Sequence, residues 1–134
     1  MRFCAERFFM VTGIAHIGLF IRDIDVSLKF YTEALGFTVA DSMDMPDGTR
    51  IAMVENGGQV VELVQLAGYE DYHDGFVNHF ALTVDDIDGE IARLKAIGVK
   101  FEGDVVSRDI MGGVKFIMFR GPDGEHLELD QMMK

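Results

Sequence analysis

NHFALTVDDID, residues 78–88, and AHIGLFIRDID, residues 15–25, are one stretch of chemistry written twice. His79 falls on His16, Ile87 on Ile24 and Asp88 on Asp25, all at a spacing of 63 residues. Both stretches alternate, so side chains two apart share a face and each reads as a strand with one buried side. Ile17, Leu19 and Ile21 form the core face of the first strand, and Phe80, Leu82 and Val84 that of the second. The opposite faces carry His16, Gly18 and Phe20 in one copy and His79, Ala81 and Thr83 in the other. Each copy therefore predicts one imidazole on the non-core face with a small residue beside it.

The repetition continues outward. Asp25 is placed to cap a helix over VSLKFYTEALG, with Leu28, Tyr31, Ala34 and Leu35 on one face and Gly36 as its stop. Asp88 and GEIARLKAIG repeat this, with Ile91, Leu94 and Ile97 on the stripe and Gly98 at the end. Residues 37–40, 50–55 and 59–66 then read as strands, as do 100–106, 115–120 and 125–131. PDG at 46–48, NGG at 56–58, MGG at 111–113 and GPDG at 121–124 supply the turns. The expected class is α+β, each half running β-α-β-β-β: a first module over 13–66, a polar connector over 67–76 and a second module over 77–134, after an N-terminal extension over 1–12.

At 134 residues and 49% hydrophobic side chains, the chain is of single-domain size with material for a core. Twenty-three acidic against 12 basic residues give a net charge of −11, which argues against nucleic acid and anionic membrane partners. Cys4 is the lone cysteine, so no intrachain disulfide forms. Arg2, Glu6 and Arg7 interrupt the apolar start, and no run reaches membrane-spanning length; a cytoplasmic protein is expected.

Aligning the last strands on Gly58 and Gly124 puts Glu62 on Glu128, 66 residues apart. Alternation groups Val60, Glu62 and Val64 in one copy and His126, Glu128 and Asp130 in the other. Glu62 sits between Val61 and Leu63, where a carboxylate needs a partner. A lone strand histidine is more often a hydrogen-bonded structural residue, and a lone glutamate can pair with lysine or face solvent. One histidine and one glutamate at matching places in both copies is a stronger signal: two nitrogen and two oxygen donors suit one divalent transition metal, with zinc, nickel, cobalt, manganese and iron all compatible.

GIAHIGLFIRDIDVSLKFYTEALGF (13–37), NHFALTVDDID and GPDGEHLEL (121–129) resemble the vicinal oxygen chelate superfamily, and within it bacterial glyoxalase I, over residues 13–131. The resemblance implies paired β-α-β-β-β units whose curled mixed sheet cups a metal ion held by His16, Glu62, His79 and Glu128. It implies Glu128 as the proton-transfer base, with Glu62 opposite it. The implied reaction converts the hemithioacetal of a 2-oxoaldehyde and a thiol such as glutathione into a 2-hydroxyacyl thioester through a metal-stabilised enediolate. It also implies a homodimer in which each site takes one half from each protomer.

Phe20 departs from this pattern, since glyoxalase I commonly has there an arginine that holds a glutathione carboxylate; Arg50, Lys115 and Arg120 are the candidates to compensate an anionic substrate. Phe20, His126, Met53 and Met118 are the expected pocket residues, with Tyr69 and Tyr72 as a possible rim and His73 solvated. Two other readings stay open: an epimerase acting beside a thioester, as in methylmalonyl-CoA epimerase, where glutamine is expected in place of Glu62, and a non-catalytic small-molecule-binding protein.

Overall fold

In the computed structural model, which describes residues 16–68, 75 and 77–133, the first repeat runs β1 (Ile17–Phe20), α1 (Ile24–Lys29), a π-helical turn (Phe30–Ala34), β2 (Thr38–Asp44), β3 (Arg50–Asn56) and β4 (Gln59–Gln65). The second runs β5 (Phe80–Thr83), α2 (Ile87–Ala96), β6 (Phe101–Arg108), β7 (Val114–Arg120) and β8 (His126–Met132). Each repeat makes its own four-stranded sheet, ordered β1-β4-β3-β2 and β5-β8-β7-β6. The β1–β4 and β5–β8 pairs are parallel and the rest antiparallel, so both sheets are mixed. The α+β class and the repeated strand order hold, as two sheets with β1 and β5 at their edges.

Both helices start two residues earlier than expected. Asp23, not Asp25, caps α1, its carboxylate accepting from the N–H groups of Asp25 at 3.0 Å and Val26 at 3.4 Å. Asp86, not Asp88, caps α2 by accepting from Gly89 at 3.2 Å. The reason is burial: Ile24 and Ile87 are 2% and 1% exposed, so the first turn must include them and the cap moves back. A glutamine from the last strand of each repeat completes the cap, Gln65 accepting from the Ile24 N–H at 2.8 Å and Gln131 from the Ile87 N–H at 2.9 Å.

The helix stops fall where the glycines placed them, at Gly36 (φ 76°) and Gly98 (φ 96°), a backbone region that a side chain rarely enters. α2 ends at Ala96, so Ile97 leaves the apolar stripe and is 58% exposed. β2 extends to Asp44, well past residue 40, as an exposed strand without the alternation that would have announced it.

Ile21, Tyr31, Val54 and Leu63 are buried in the first core, and Leu94, Phe119, Leu127 and Leu129 in the second. Phe30, Leu35, Phe80 and Leu82 pack against both, so the cores meet between the sheets. Burying each such side chain is worth roughly 1.5–3 kcal/mol. Polar bonds also cross this boundary: Tyr31 Oη donates to Glu125 Oε2 at 3.0 Å, and Asp123 accepts from Ser27 Oγ at 3.1 Å and from the Arg22 N–H at 2.8 Å. Residues 1–12 and most of the connector lie outside the described residues, with Tyr69, Tyr72 and His73 among them. No helix among the described residues is long and apolar enough to cross a membrane.

Candidate metal centre

The parallel ladders build the site. β1 and β4 pair Gly18 with Glu62, and β5 and β8 pair Ala81 with Glu128. His16 and His79 stand two residues before those small residues, so alternation turns each imidazole to the face of its glutamate. His16 Nε2 lies 3.8 Å from Glu62 Oε1, and His79 Nε2 lies 3.3 Å from Glu128 Oε2. A Cβ added at Gly18 would stand 3.5 Å from Glu62 Oε1, which is contact without clash and explains why alanine serves at position 81. On the other side of each glutamate, the antiparallel register sets Met53 opposite Glu62 and Met118 opposite Glu128. Small residue, glutamate and methionine thus stand in a row twice.

Two donors bound to one ion at about 2.0–2.2 Å, at tetrahedral to right angles, lie about 3–3.5 Å apart. The His79–Glu128 spacing of 3.3 Å meets this, and His16–Glu62 at 3.8 Å is a few tenths wider. His79 Nδ1 is 3.0 Å from Asn78 Oδ1; with Nδ1 protonated and donating there, Nε2 keeps the lone pair that a metal requires. Both half-sites therefore fit a divalent ion. They are pairs, however, and among the described residues no group of three or more His, Cys, Asp or Glu in one chain is arranged to hold a metal ion. The expectation was four side chains at a common point with one half from each protomer, and within a single chain they stand two by two.

The pairs differ in what surrounds them. Val60 and Val64 flank Glu62, whereas His126 and Asp130 flank Glu128 on the same face. Burial raises the Glu128 carboxyl to about 7, with a hydrogen bond to Asp130 and its charge adding to the effect. The His126 ring stands edge-on to His79, with centroids 6.0 Å apart, and its Nε2 lies 3.4 Å from Glu102 Oε1. Phe20 is 54% exposed and lies across the ladder from Val64. His16 also borders a cavity of about 390 Å³ between the sheets, lined by Phe37, Val60, Phe80, Leu82 and Leu94.

Of the three basic candidates, Arg50 pairs with Asp25 at 3.4 Å and Asp44 at 3.3 Å, on the helix side of its sheet. Lys115 is registered with Gln131, whose amide caps α2, so it too belongs to the helix side. Arg120 does share the face of Glu128, and it holds Glu102 at 2.9 Å and the Gly124 carbonyl at 3.0 Å. The sequence reading missed Asn78 and Glu102; Asn78 adjoins a candidate ligand and was visible as such, whereas Glu102 arrives through a register shift in β6 that no spacing announces.

Residues 13–129 match the family model described as Glyoxalase/Bleomycin resistance protein/Dioxygenase superfamily. The uncharacterized protein YwbC of Bacillus subtilis is 32% identical over 126 residues, 91% of this chain and 99% of that protein. A probable lactoylglutathione lyase of Vibrio cholerae is 32% identical over 128 residues, 88% of this chain and 89% of its own length. Among solved structures, a glyoxalase family protein from Enterococcus faecalis superposes with a TM-score of 0.75 at 26% identity, covering 89% of this chain and 97% of that one.

Proposed function

Because the chain belongs to the glyoxalase/bleomycin resistance protein/dioxygenase superfamily, we propose that it is a metal-dependent, glyoxalase I-like lyase/isomerase. Its substrate is the hemithioacetal of a 2-oxoaldehyde and a thiol, and its product a 2-hydroxyacyl thioester. The observation that carries this reading is the His–Glu pair found twice, at 3.8 and 3.3 Å, on equivalent strands of the two repeats. The relative named a probable lactoylglutathione lyase supports it.

His16, Glu62, His79 and Glu128 would hold the ion, for which zinc, nickel, cobalt, manganese and iron are all suitable. Since one chain gathers only pairs, a homodimer completes the set, His16 and Glu62 of one copy facing His79 and Glu128 of the other. When bound, the ion supplies a Lewis acid for negative charge developing on the substrate oxygens. Glu128 takes the proton from the carbon bearing sulfur and returns it to the adjacent carbonyl carbon, while the hydroxyl proton of the first carbon passes to the former carbonyl oxygen; one C–H and one O–H bond break, one of each forms, and no outside oxidant or reductant is consumed. Glu62 faces it from the other half, and Phe20, Met53 and Met118 wall the reacting carbons from water. The acidic balance and lone cysteine fit a cytoplasmic enzyme without a nucleic-acid partner.

Metal analysis of the purified protein, followed by thioester absorbance with methylglyoxal and glutathione with and without chelator, tests the reading. Chelator-sensitive turnover is the expected result. Metal bound at the four side chains with no turnover for any thiol would remove the isomerase and leave the site.

A further inference from the structure

The repeats meet through the same pair of elements used twice, a turn of one against the helix of the other, and only one of the two contacts is closed. The β7–β8 turn of the second repeat lies on α1 and the π-helical turn of the first. Glu125 Oε2 accepts there from Tyr31 Oη at 3.0 Å, and Asp123 accepts from Ser27 Oγ at 3.1 Å. The counterpart is the β3–β4 turn of the first repeat beside α2 of the second. A shift of 63 residues along the helices takes Ser27 to Glu90 and Tyr31 to Leu94, and a shift of 66 along the turns takes Asp123 to Gly57 and Glu125 to Gln59. Tyr31 and Leu94 are both fully buried, but the leucine lacks the ring and hydroxyl by which the tyrosine reaches the facing turn. Gly57, Gln59, Glu90 and Leu94 all border the cavity of about 390 Å³ instead.

A void of that size forfeits contacts that a close-packed interior seldom gives up, and it falls in the range of small-molecule sites. The closed contact describes what fits the open one. There the Tyr31 ring stands edge-on to Phe30 and Phe37, with centroids 5.3 and 5.7 Å apart, and its hydroxyl donates to the turn. Here Phe37 and Phe80 supply aromatic wall, Leu82 and Leu94 aliphatic wall, and Gln59, exposed on its turn, stands in the place of Glu125 with an amide oxygen that accepts. The lining also says that the occupant is uncharged. Arg93 is held by Glu90 at 2.7 Å and donates to the Ala34 carbonyl at 2.8 Å, so the two opposite charges at the wall answer each other.

We propose that this cavity is a binding site for a small, uncharged hydroxyaromatic molecule, a phenol of one or two rings, which takes the place that Tyr31 holds in the other contact. Its ring packs against Phe37 and Phe80, and its hydroxyl donates to Gln59 Oε1. His16 borders the cavity, but the binding requires no metal and is independent of the isomerase reading.

The probe is 2-naphthol, uncharged near neutrality, whose fluorescence is unobscured because the chain has no tryptophan. Full-length protein, treated with chelator so that the probe cannot bind through a metal, is titrated with 2-naphthol, naphthalene and 2-naphthoate. We expect one 2-naphthol per chain, with naphthalene about fivefold weaker for want of the hydroxyl and 2-naphthoate at least about tenfold weaker for want of a free cation. Q59L should bring 2-naphthol to within about twofold of naphthalene, and L94Y, which builds the missing ring into the cavity, should weaken both by at least about tenfold. A tyrosine in the core can unsettle the fold, so methyl NMR of the wild type gives a second reading: Val61, Leu82 and Leu94 signals should shift saturably with 2-naphthol while Val39 on the far edge strand does not. Absence of saturable 2-naphthol binding, tighter binding of 2-naphthoate, or shifts that spare these three residues would overturn the proposal.

Discussion

Tyr31 and Glu125 meet across the boundary between the repeats, phenol to carboxylate, at 3.0 Å. Tyr31 is fully buried, and burial raises its phenol well above the ordinary range. Burial likewise raises the Glu125 carboxyl above its ordinary 4.5, against the lowering pull of bonds from the Asp123 N–H and Tyr31. A carboxyl raised on folding contributes stability that is full below its unfolded value and is lost as pH rises through its folded one. The Tm of E125Q minus that of wild type should therefore grow as pH rises above the ordinary 4.5. A difference that stays constant or shrinks as pH rises would contradict the burial argument.

Asp130 should add to the effect of burial on Glu128. In metal-free protein, carbon-detected NMR titration is expected to place the Glu128 carboxyl at about 7, and D130N should lower it while burial keeps it above the ordinary 4.5. Because an ion must displace that proton, affinity for a divalent metal should weaken about tenfold per unit as pH falls below this value. Affinity that is flat from pH 5 to pH 7 would exclude Glu128 as a ligand.

Gly18 has room for a methyl group and little more. G18A should bind metal nearly as wild type does, since Ala81 occupies the equivalent place and a Cβ at 18 is 3.5 Å from Glu62 Oε1. G18V should push Glu62 aside and weaken binding by an order of magnitude or more, on the order of 1–2 kcal/mol. Isothermal titration of both variants decides it; equal affinities would mean that Glu62 does not turn toward β1 when metal is bound.

Leu94 and Ile97 were read from one apolar stripe, yet they should behave oppositely. Leu94 is 0% exposed and Ile97 is 58% exposed. Denaturant unfolding of L94A should show a loss of about 2–5 kcal/mol, and of I97A less than about 0.5 kcal/mol.

The contrast shows where the sequence was legible. Periodicity found the strands, the helices and the faces of β1 and β5, because Ile17, Leu19, Phe80 and Leu82 bury one side of a two-residue repeat. Comparing the copies then found both His–Glu pairs, since a site built from a repeat leaves the same residues at the same spacing. It did not find the caps, because Asp23 and Asp25 are equally good cap residues and only the burial of Ile24 chooses between them. Periodicity alone does not say whether the pairs meet within one chain, since alternation fixes faces inside a sheet and says nothing about how two sheets are set against each other; the expectation of a site shared between copies came only with the family resemblance.

Mixing two inactive variants tests most directly whether the site is shared between copies. H16A and H79A homodimers each lack one imidazole at both sites. Exchanged subunits of the two should form heterodimers in which one site has lost both imidazoles and the other keeps all four ligands. Metal binding and turnover should then return to roughly a quarter of wild type after random exchange. If the mixture, with heterodimers verified, regains neither metal nor activity, the four side chains do not meet across the dimer and the proposed centre is wrong.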